Sequence, residues 1–473
     1  MQMNDNRLSR AREKFIATFG HGEIFVLRAP ARINILGEHV DYVSYLPTAS
    51  LPFGSHEHEM LMLYRPTIGK RVRGISSHSA YEPFEFPLTE EFGEGEWATQ
   101  VFNRPAPAPH WSNYVRGAVA FAQWRHPQSI VTGMDLMIDS TIPPGGGSSS
   151  SSAIVVLAGA AIRHVNRIEY ELCDLAWESS QAEWYLGTRG GALDHATICL
   201  SQRDHVLLMN HFERKSEPIP LSGRDWRWVT FFSHPADKGR EVMLEYNERA
   251  AVSRILIPTL MERSAAIEEE IERLPDHLTL AEFKRRFPAQ FNDCQAAFPA
   301  LIRERMDLPL RIRNRALHHL GESQRVAEAV RLLMELQQPT DKPSYQSGDE
   351  RDPRTEHLPQ DVTDRAVAQA MHSLGRLIDR SHQSLCDLYE VNNSEVDHLV
   401  DSITRDPGMI EGRRLMGGGF GGNVLVLCRA ANVQPLIDQV SVDYYAPRGR
   451  DPRAEGAIMI STPGDGLTLV VGQ

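Results

Sequence analysis

Several features that would assign this chain to other classes of protein are missing. No stretch of the 473 residues approaches the ~18 apolar residues of a membrane-spanning helix, and the first seven residues, MQMNDNR, contain no apolar signal region. The sequence therefore predicts a cytoplasmic protein.

Cysteine is scarce, and positive charge is in deficit. The five cysteines have no CxxC spacing, which predicts reduced core thiols rather than a disulfide framework or a metal site. The formal net charge is −12, which disfavours a nucleic-acid partner. With 41% hydrophobic and 24% charged residues the composition is that of a globular protein. The length allows roughly two or three domains.

A glycine and serine run lies in the first half of the chain. Residues 142–153 read IPPGGGSSSSSA, between a strand-like segment from Met134 to Ile142 and a helical pattern from Ala153 to Ile168. Glycine lets backbone N–H groups approach an anion, and the following helix adds N-terminal donors and the positive end of its dipole. The run predicts a phosphate-binding loop, with a flexible linker as the alternative. It is not a Walker loop, because no lysine follows the last glycine.

A segment near the N-terminus concentrates charged side chains in a strand-like sequence. Residues 31–42 read ARINILGEHVDY and include Arg32, Glu38, His39 and Asp41. Because such groups are costly to bury, a surface strand with solvated charges is one interpretation. The other is a pocket for a polyol, since carboxylates and imidazole form directional hydrogen bonds with hydroxyl groups.

A second glycine run, GGGFGG at 417–422, leads into an apolar strand. Glycine at this density indicates close backbone approach rather than a packed core. In this order the three segments resemble the motifs of the GHMP kinase superfamily, and within it the chain resembles the galactokinase family. The likeness extends to WSNYVRG at 111–117, GGALDH at 190–195, EYNER at 245–249 and SHQSL at 381–385.

The resemblance implies an α+β GHMP kinase fold of two lobes with the active site in the cleft between them. It implies an N-terminal domain over residues 1–205 and a C-terminal domain over residues 206–473. The segment 337–361 has almost no apolar residues and predicts an exposed insertion, with a regulatory or partner-binding role as the alternative.

The implied activity is ATP-dependent phosphorylation of the anomeric hydroxyl of galactose, with ATP and Mg²⁺ as cofactors. The resemblance implies that Asp194 lies beside the acceptor hydroxyl and that Arg32 holds it ionised and neutralises charge on the transferring group. Without the resemblance, Asp194 would be a helix N-cap and Arg32 a surface ion pair. Whether Asp194 is a general base or only orients the hydroxyl stays open.

The remaining site residues are also implied by the resemblance. Sugar contacts fall on Glu38, His39, Asp41, Gly191, Asp194 and Tyr246. Nucleotide contacts fall on Trp111, Tyr114, Gly145, Gly146, Gly147, Ser149, Ser150, Ser151, Gly418 and Gly419. Ser151 and Glu183 are the implied magnesium ligands. The ordinary alternatives are core aromatics for Trp111 and Tyr114, helix caps for the serines and an exposed helix position for Glu183.

The chain departs from the family at several positions. Ala31, His195 and Asn423 stand where galactokinases usually have Gly, Gln and Cys, and the loop Val43-Ser44-Tyr45 is a couple of residues short and lacks its glycine. Because that loop adjoins the sugar pocket of the family, another acceptor stays open: L-arabinose, N-acetylgalactosamine, a uronic acid or a heptose phosphate. A sugar sensor without turnover is a further alternative. The expected partners are a sugar and ATP, with no nucleic acid or membrane, and the expected state is a monomer or weak dimer.

Overall fold

The computed structural model describes residues 5–470 except 90–91, 188, 222, 224, 236–238, 262–265, 338–359, 405 and 455. The predicted insertion at 337–361 therefore lies almost entirely outside the described residues. None of the helices in the described part of the chain combines the length and the apolar character of a membrane-spanning segment.

The helices cover most of the second half of the chain and alternate with strands in the first half. They are α1 (Asp5–Phe19), α2 (Trp97–Phe102), α3 (Ser112–Arg125), α4 (Ser150–Val165), α5 (Leu172–Glu183), α6 (Leu193–Leu200), α7 (Arg240–Ala251), α8 (Ile257–Leu260), α9 (Ile267–Arg273), α10 (Leu280–Arg286), α11 (Pro288–Ala297), α12 (Pro299–Glu304), α13 (Ile312–Glu335), α14 (Gln360–Ser384), α15 (Ser394–Ile403) and α16 (Val433–Val440). π-helical turns follow α7, α14 and α16 at Val252–Leu256, Leu385–Tyr389 and Ser441–Tyr445.

The strands are β1 (Phe25–Asn34), β2 (Ala49–Ser50), β3 (Pro52–Pro66), β4 (Arg71–Ser76), β5 (Phe84–Pro87), β6 (Met134–Ser140), β7 (His205–Asn210), β8 (Lys215–Pro220), β9 (Trp226–Phe232), β10 (His277–Leu278), β11 (Leu310–Arg311), β12 (Gly412–Met416), β13 (Asn423–Arg429), β14 (Ile458–Ser461), β15 (Pro463–Gly464) and β16 (Thr468–Val470). The strand-like segment predicted from Met134 to Ile142 corresponds to β6. The helix predicted from Ala153 begins earlier, at Ser150.

The largest sheet has the strand order β16-β1-β3-β6-β4-β5, with β15 also paired to β3. Neighbouring strands are antiparallel except for β4 and β6. Side chains of β3 alternate between two cores, as the period of two in a strand requires. Met60 and Met62 join the core that contains α3 and α4, whereas Leu61 and Leu63 pack with Phe15 of α1. The sheet is therefore covered on both faces, which explains the near-continuous burial of β1.

The second half of the chain builds a smaller antiparallel sheet, β12-β13-β9-β14, whose core includes α15 and α16. The helices from α7 to α13 enclose a further core of their own. A third sheet has the order β2-β7-β8, so strands on both sides of residue 205 pair across it. The final strands β15 and β16 return to the first sheet. The domain division at residue 205 stays a prediction.

Candidate active site

Arg32 and Asp194, the two implied catalytic residues, form an ion pair. Nε and Nη2 of Arg32, on β1, each lie 2.6 Å from Oδ1 of Asp194, in the first turn of α6. Burial disfavours the charged carboxylate, but the Arg32 guanidinium, the neighbouring His195 and hydrogen bonds from Ser149 and Arg32 outweigh it and lower the pKa of Asp194. The Asp194 side chain is still 31% exposed. It is an ionised carboxylate that a ligand can reach.

Two ordinary interpretations of this pair are wrong. The N-cap of α6 is Ala192, and Asp194 lies inside the first turn, where its carboxylate bonds Arg32 instead of capping the helix. Arg32 is buried, so the pair is not a surface salt bridge. Nη1 of Arg32 is also buried and has no hydrogen-bond partner among the described residues. A donor in that position is available to a ligand.

Asp41 lies beside Asp194 and against Gly191. Its Oδ2 accepts a hydrogen bond of 3.4 Å from the Leu193 backbone N–H. Burial and the repulsion of Asp194 raise the pKa of Asp41 to about 6. A Cβ atom at position 191 would lie under 3.0 Å from Asp41, so only glycine fits there. The structure thus places Asp41 and Gly191, two of the residues implied to contact sugar, in direct contact.

Glu38 connects the N-terminal motif to the second glycine run. Its Oε2 accepts from the guanidinium of Arg414 and, at 3.1 Å, from the backbone N–H of Gly417. Helix α13 contacts the backbone of Gly37 and Glu38. His318 Nε2 lies 3.1 Å from the Glu38 carbonyl oxygen, and the carboxylate of Glu322 accepts from the Gly37 N–H at 2.7 Å. Two distant segments thus fix the orientation of Glu38.

His39 lies at the centre of a group of tyrosines. Its backbone has a φ of 58°, in the left-handed region, and Nδ1 lies 2.9 Å from the hydroxyl of Tyr42. The ring centroid is 4.7 Å from that of Tyr389 and 6.1 Å from that of Tyr246. Burial lowers the pKa of His39 well below its ordinary value, so the imidazole is neutral. Burial, together with the nearby charge of Asp41, raises the pKa of Tyr246.

Arg254, on the π-helical turn after α7, is a site residue that the sequence analysis missed. Its Nη2 donates to the Gly190 carbonyl oxygen at 3.1 Å, and its guanidinium lies 5.5 Å from the ring centroid of Tyr42. Arg254 has no ion pair among the described residues. Its charge lowers the pKa of Asp41, against the larger effects of burial and of Asp194.

The predicted phosphate-binding loop is an ordered turn rather than a linker. Gly145 and Gly147 have φ values of 74° and 73°, and Ser149 has a φ of 65° immediately before α4. These left-handed conformations suit glycine and are rare for serine. Ser149 makes no side-chain capping hydrogen bond, so it is not a simple helix cap. Its hydroxyl lies beside Asp194, where it helps to lower the pKa of that carboxylate.

The two glycine runs lie against each other. A Cβ atom at Gly147 would lie 2.8 Å from the Met416 carbonyl oxygen, and one at Gly422 would lie 3.3 Å from the Gly146 carbonyl oxygen. Ser148 connects them. Its carbonyl oxygen accepts from the Arg32 N–H at 3.2 Å, and its Oγ accepts from Asn423 Nδ2 at 3.0 Å.

Gly418 and Gly419 have different surroundings. A Cβ atom at Gly418 would meet nothing within 4 Å, so this glycine borders open space. Gly419, with a φ of 81°, packs closely on Val391. Of the two glycines, Gly418 is therefore the one that a ligand can approach.

The aromatic residues implied to hold adenine contact different neighbours. The Trp111 ring lies 4.7 Å from the ring of Phe84 and its Nε1 donates to the Glu82 carbonyl oxygen at 2.7 Å. Burial, together with Glu183, raises the pKa of Tyr114 to about 12. An open surface pocket of about 610 Å³ borders this part of α3. Its lining includes Phe84, Asn113, Arg116 and Tyr185.

Glu183 and the serines of the loop provide oxygen donors next to the ion pair. Oε2 of Glu183 accepts from Ser152 Oγ at 2.9 Å and lies 2.8 Å from His195 Nε2. The hydroxyl of Tyr114 adjoins both Ser151 and Glu183. No group of three or more His, Cys, Asp or Glu residues in the described part of the chain could hold a metal alone. A serine hydroxyl and a carboxylate suit Mg²⁺ that takes its other ligands from phosphate and water.

Comparisons with known proteins agree with this geometry. The family model described as GHMP kinases N terminal domain matches residues 113–202, and the model described as Galactokinase galactose-binding signature matches residues 13–49. A galactokinase of Bos taurus is 27% identical over 447 residues, covering 93% of this chain and 92% of the relative. A galactokinase of Pasteurella multocida strain Pm70 is 26% identical over 420 residues, covering 88% of each.

Solved structures show the same fold. The galactokinase of Lactococcus lactis complexed with galactose has a TM-score of 0.70 at 23% identity, covering 98% of this chain and 100% of that chain. The mevalonate kinase of Methanococcus jannaschii has a TM-score of 0.51 at 13% identity, covering 94% and 100%. The predicted α+β GHMP kinase fold and the resemblance to galactokinases are both confirmed.

Proposed function

We propose that this chain, which has the GHMP kinase fold and carries the galactokinase galactose-binding signature, is an ATP-dependent kinase that converts galactose to galactose 1-phosphate. The observation that carries the proposal is the ion pair of Arg32 and Asp194 beside the glycine loop that precedes α4. Phosphoryl transfer requires positioning and charge stabilisation more than covalent chemistry, and this pair supplies both.

Asp194 is the residue that contacts the acceptor hydroxyl in the proposed reaction. Because Arg32 keeps it ionised, its carboxylate accepts a hydrogen bond from the anomeric hydroxyl, orients the oxygen and is the base nearest to its proton. The unpartnered Nη1 of Arg32 offers a donor to the negative charge that develops on the transferring group. Asp41, Glu38, His39, Gly191 and Tyr246 form the surrounding sugar pocket.

The nucleotide end belongs to the two glycine runs and α3. Backbone N–H groups of Gly145 to Gly147 and of Ser149 to Ser151 would hold the ATP phosphates. Gly418 and Gly419 would border the phosphates. Trp111 and Tyr114 would lie on the adenine side. Ser151 and Glu183 would hold Mg²⁺, which when bound neutralises phosphate charge. We assign residues 1–205 and 206–473 to the two lobes and expect a cytoplasmic monomer or weak dimer.

A second candidate is the same reaction on a related sugar. The shortened loop at Val43-Ser44-Tyr45 supports it, because the Tyr45 hydroxyl lies 2.7 Å from His319 Nδ1, so the loop follows its own path beside the pocket. A sensor without turnover is less consistent with the intact Arg32 and Asp194 pair, since binding alone does not need it.

A panel of free sugars incubated with ATP, with ADP release as the signal, tests the proposal. Galactose should give the highest kcat/KM, and an Asp194→Asn control should give almost no ADP. A higher kcat/KM for another sugar would favour the second candidate. Binding of galactose and ATP by the wild-type chain without ADP release would favour the sensor.

A further inference from the structure

A chain of hydrogen bonds leads from His39 into the interior. The Tyr42 hydroxyl lies 2.9 Å from His39 Nδ1 and 2.8 Å from the Tyr389 hydroxyl, which lies 3.5 Å from Ser253 Oγ. All four side chains are buried. Each hydroxyl in such a chain has a single proton to donate, so the direction of one bond constrains the next.

The direction is set at Ser253. Its hydroxyl donates to the Arg249 carbonyl oxygen at 2.7 Å, so Oγ can only accept from its other neighbours. One of these is Nε2 of His319, at 3.3 Å, which must therefore carry a proton. Nδ1 of His319 is then a lone pair and accepts from the Tyr45 hydroxyl at 2.7 Å. The hydrogen bonds from Tyr45 through His319 to Ser253 can therefore run in one direction only.

The same constraint passes to His39. Tyr389 donates to Ser253, so the Tyr389 oxygen accepts from Tyr42. The Tyr42 oxygen in turn accepts from His39, whose Nδ1 must carry the proton. Burial, with the neighbouring His318 and the charge of Arg249, lowers the pKa of His39 and keeps the ring neutral, so Nε2 is left as a lone pair.

The reverse direction is less favourable. If Tyr389 donated to Tyr42 and Tyr42 donated to His39, the proton would move to Nε2. That atom is buried and has no hydrogen-bond partner among the described residues. A buried N–H without a partner is rarer in proteins than an unused lone pair. The reverse direction would also leave the Tyr389 proton unavailable to Ser253.

We propose that Tyr389 is a positioning residue that makes Nε2 of His39 a hydrogen-bond acceptor, so that the pocket selects a sugar hydroxyl that donates at this position. The proposal rests on the function proposed above. Glu38 and Asp41 are acceptors too, which makes this side of the pocket suited to neutral sugars with free hydroxyl groups. A carboxylate, as in a uronic acid, would meet a lone pair where it needs a donor.

The tautomer can be measured without any substrate. Nitrogen-15 NMR of the full chain labelled in histidine distinguishes a protonated Nδ1 from a protonated Nε2, and loss of a signal in His39→Gln assigns the residue. We expect Nδ1 to be protonated in the wild type. Tyr389→Phe removes the acceptor of the Tyr42 proton, so Tyr42 should donate to His39 and the proton should move to Nε2. Protonated Nε2 in the wild type overturns the proposal, whether or not the variant folds.

Tyr45→Phe is the matched control, because it removes a phenol hydroxyl from the same network on the far side of Ser253. It should keep the wild-type His39 signal. If it moves the His39 proton as Tyr389→Phe does, the effect is a general loosening of the core and the proposal is wrong.

Kinetics with monodeoxyfluoro galactoses give the functional test, since fluorine can accept a hydrogen bond but cannot donate one. In Tyr389→Phe the KM for galactose should rise about tenfold with kcat nearly unchanged, as for one lost hydrogen bond. For one fluoro analogue, kcat/KM relative to galactose should improve, because Nε2–H can donate to fluorine. Unchanged ratios for every analogue overturn the proposal. A wild type that shows the Nδ1 proton but does not phosphorylate galactose contradicts the proposed function instead.

Discussion

Gly191 and Asp41 are in direct contact, and a Cβ atom at position 191 would lie under 3.0 Å from both the main-chain oxygen and Oδ2 of Asp41. Gly191→Ala should therefore displace Asp41 from its position in the proposed sugar pocket. Overpacking of this kind costs about 1–3 kcal/mol, so we expect the KM for galactose to rise by about 10- to 100-fold. Steady-state kinetics at saturating ATP measure it.

Gly190→Ala is the matched control. A Cβ atom there would lie 3.6 Å from the Tyr246 hydroxyl, an ordinary contact, so the KM should change much less. Equal effects of the two substitutions would show that the contact between Gly191 and Asp41 does not determine sugar affinity.

Asp41 should make both stability and sugar affinity depend on pH. Its pKa rises from 3.8 to about 6 in the folded protein, so the folded state binds this proton more tightly than the unfolded chain. The stability that Asp41 contributes is fully present below its ordinary pKa and is lost as the pH rises through about 6. Asp41→Asn should remove this loss, so its free energy of unfolding should decrease less between pH 4 and pH 7 than that of the wild type. Urea titrations at several pH values compare the two, and parallel profiles would contradict the raised pKa.

Arg254 should set the pH at which sugar affinity is lost. In the proposed sugar pocket the ionised form of Asp41 would accept hydrogen bonds from sugar hydroxyls, so the KM for galactose should rise as the pH falls through about 6. Arg254→Met removes a charge that favours the ionised form, and the rise should then begin at a higher pH. Arg254→Lys keeps the charge and should behave much more like the wild type. A pH profile of KM that is identical in Arg254→Met and the wild type would exclude this role.

Much of the fold could be predicted from local sequence. The strand-like segment from Met134 to Ile142 predicted β6, in which apolar residues recur with the period of two of a strand. The glycine runs predicted close backbone approach, and the structure places Gly147 against Met416 and Gly422 against Gly146. Asp194 and Arg32 could be paired only through the family resemblance, because 162 residues separate them.

Arg254, Tyr389 and Glu322 could not be found in this way. All three come from helical segments of the second half of the chain, where a polar residue in a periodic pattern gives no indication of what it contacts. Arg254 and Tyr389 lie on π-helical turns, which have no sequence signature of their own although they are frequent at functional sites. Glu322 holds Gly37 through a contact across 285 residues that only tertiary packing creates.

Gly418 allows a test of nucleotide binding that does not disturb the protein itself. Because a Cβ atom at this position would meet no protein atom within 4 Å, Gly418→Val should leave the melting temperature nearly unchanged. If ATP phosphates approach this backbone, the side chain should weaken ATP binding by about tenfold or more, a cost of about 1.4 kcal/mol or above. Calorimetry of ATP binding measures it. Gly93→Val, at a glycine that is equally open, should leave ATP affinity unchanged.

Gly146→Val should weaken ATP binding as well, but for two reasons that must be separated. A Cβ atom at Gly146 would lie 3.0 Å from Asn423 Nδ2, the donor that holds Ser148. Asn423→Ala removes that hydrogen bond without adding a side chain at the loop. We expect a larger loss of ATP affinity in Gly146→Val than in Asn423→Ala. Equal losses would mean that the contact with Ser148, rather than access of phosphate to the loop, accounts for the effect.

The ion pair of Arg32 and Asp194 allows the sharpest test of turnover. Asp194→Asn keeps the size of the side chain but removes its charge, so kcat should fall by about 10² or more, as for a lost acid–base group, while galactose affinity falls far less. Arg32→Met leaves the carboxylate without the cation that lowers its pKa, and kcat should fall as well. Because the two residues bond each other at 2.6 Å, the double variant should lose less than the product of the two single losses. Single-turnover rates and calorimetry of galactose binding, measured on the wild type, the two single variants and the double variant, complete this double-mutant cycle. Near-normal turnover in Asp194→Asn would assign the catalytic role to another carboxylate, for which Asp41 is the nearest candidate. Strictly multiplicative losses in the double variant would show that Arg32 and Asp194 act independently.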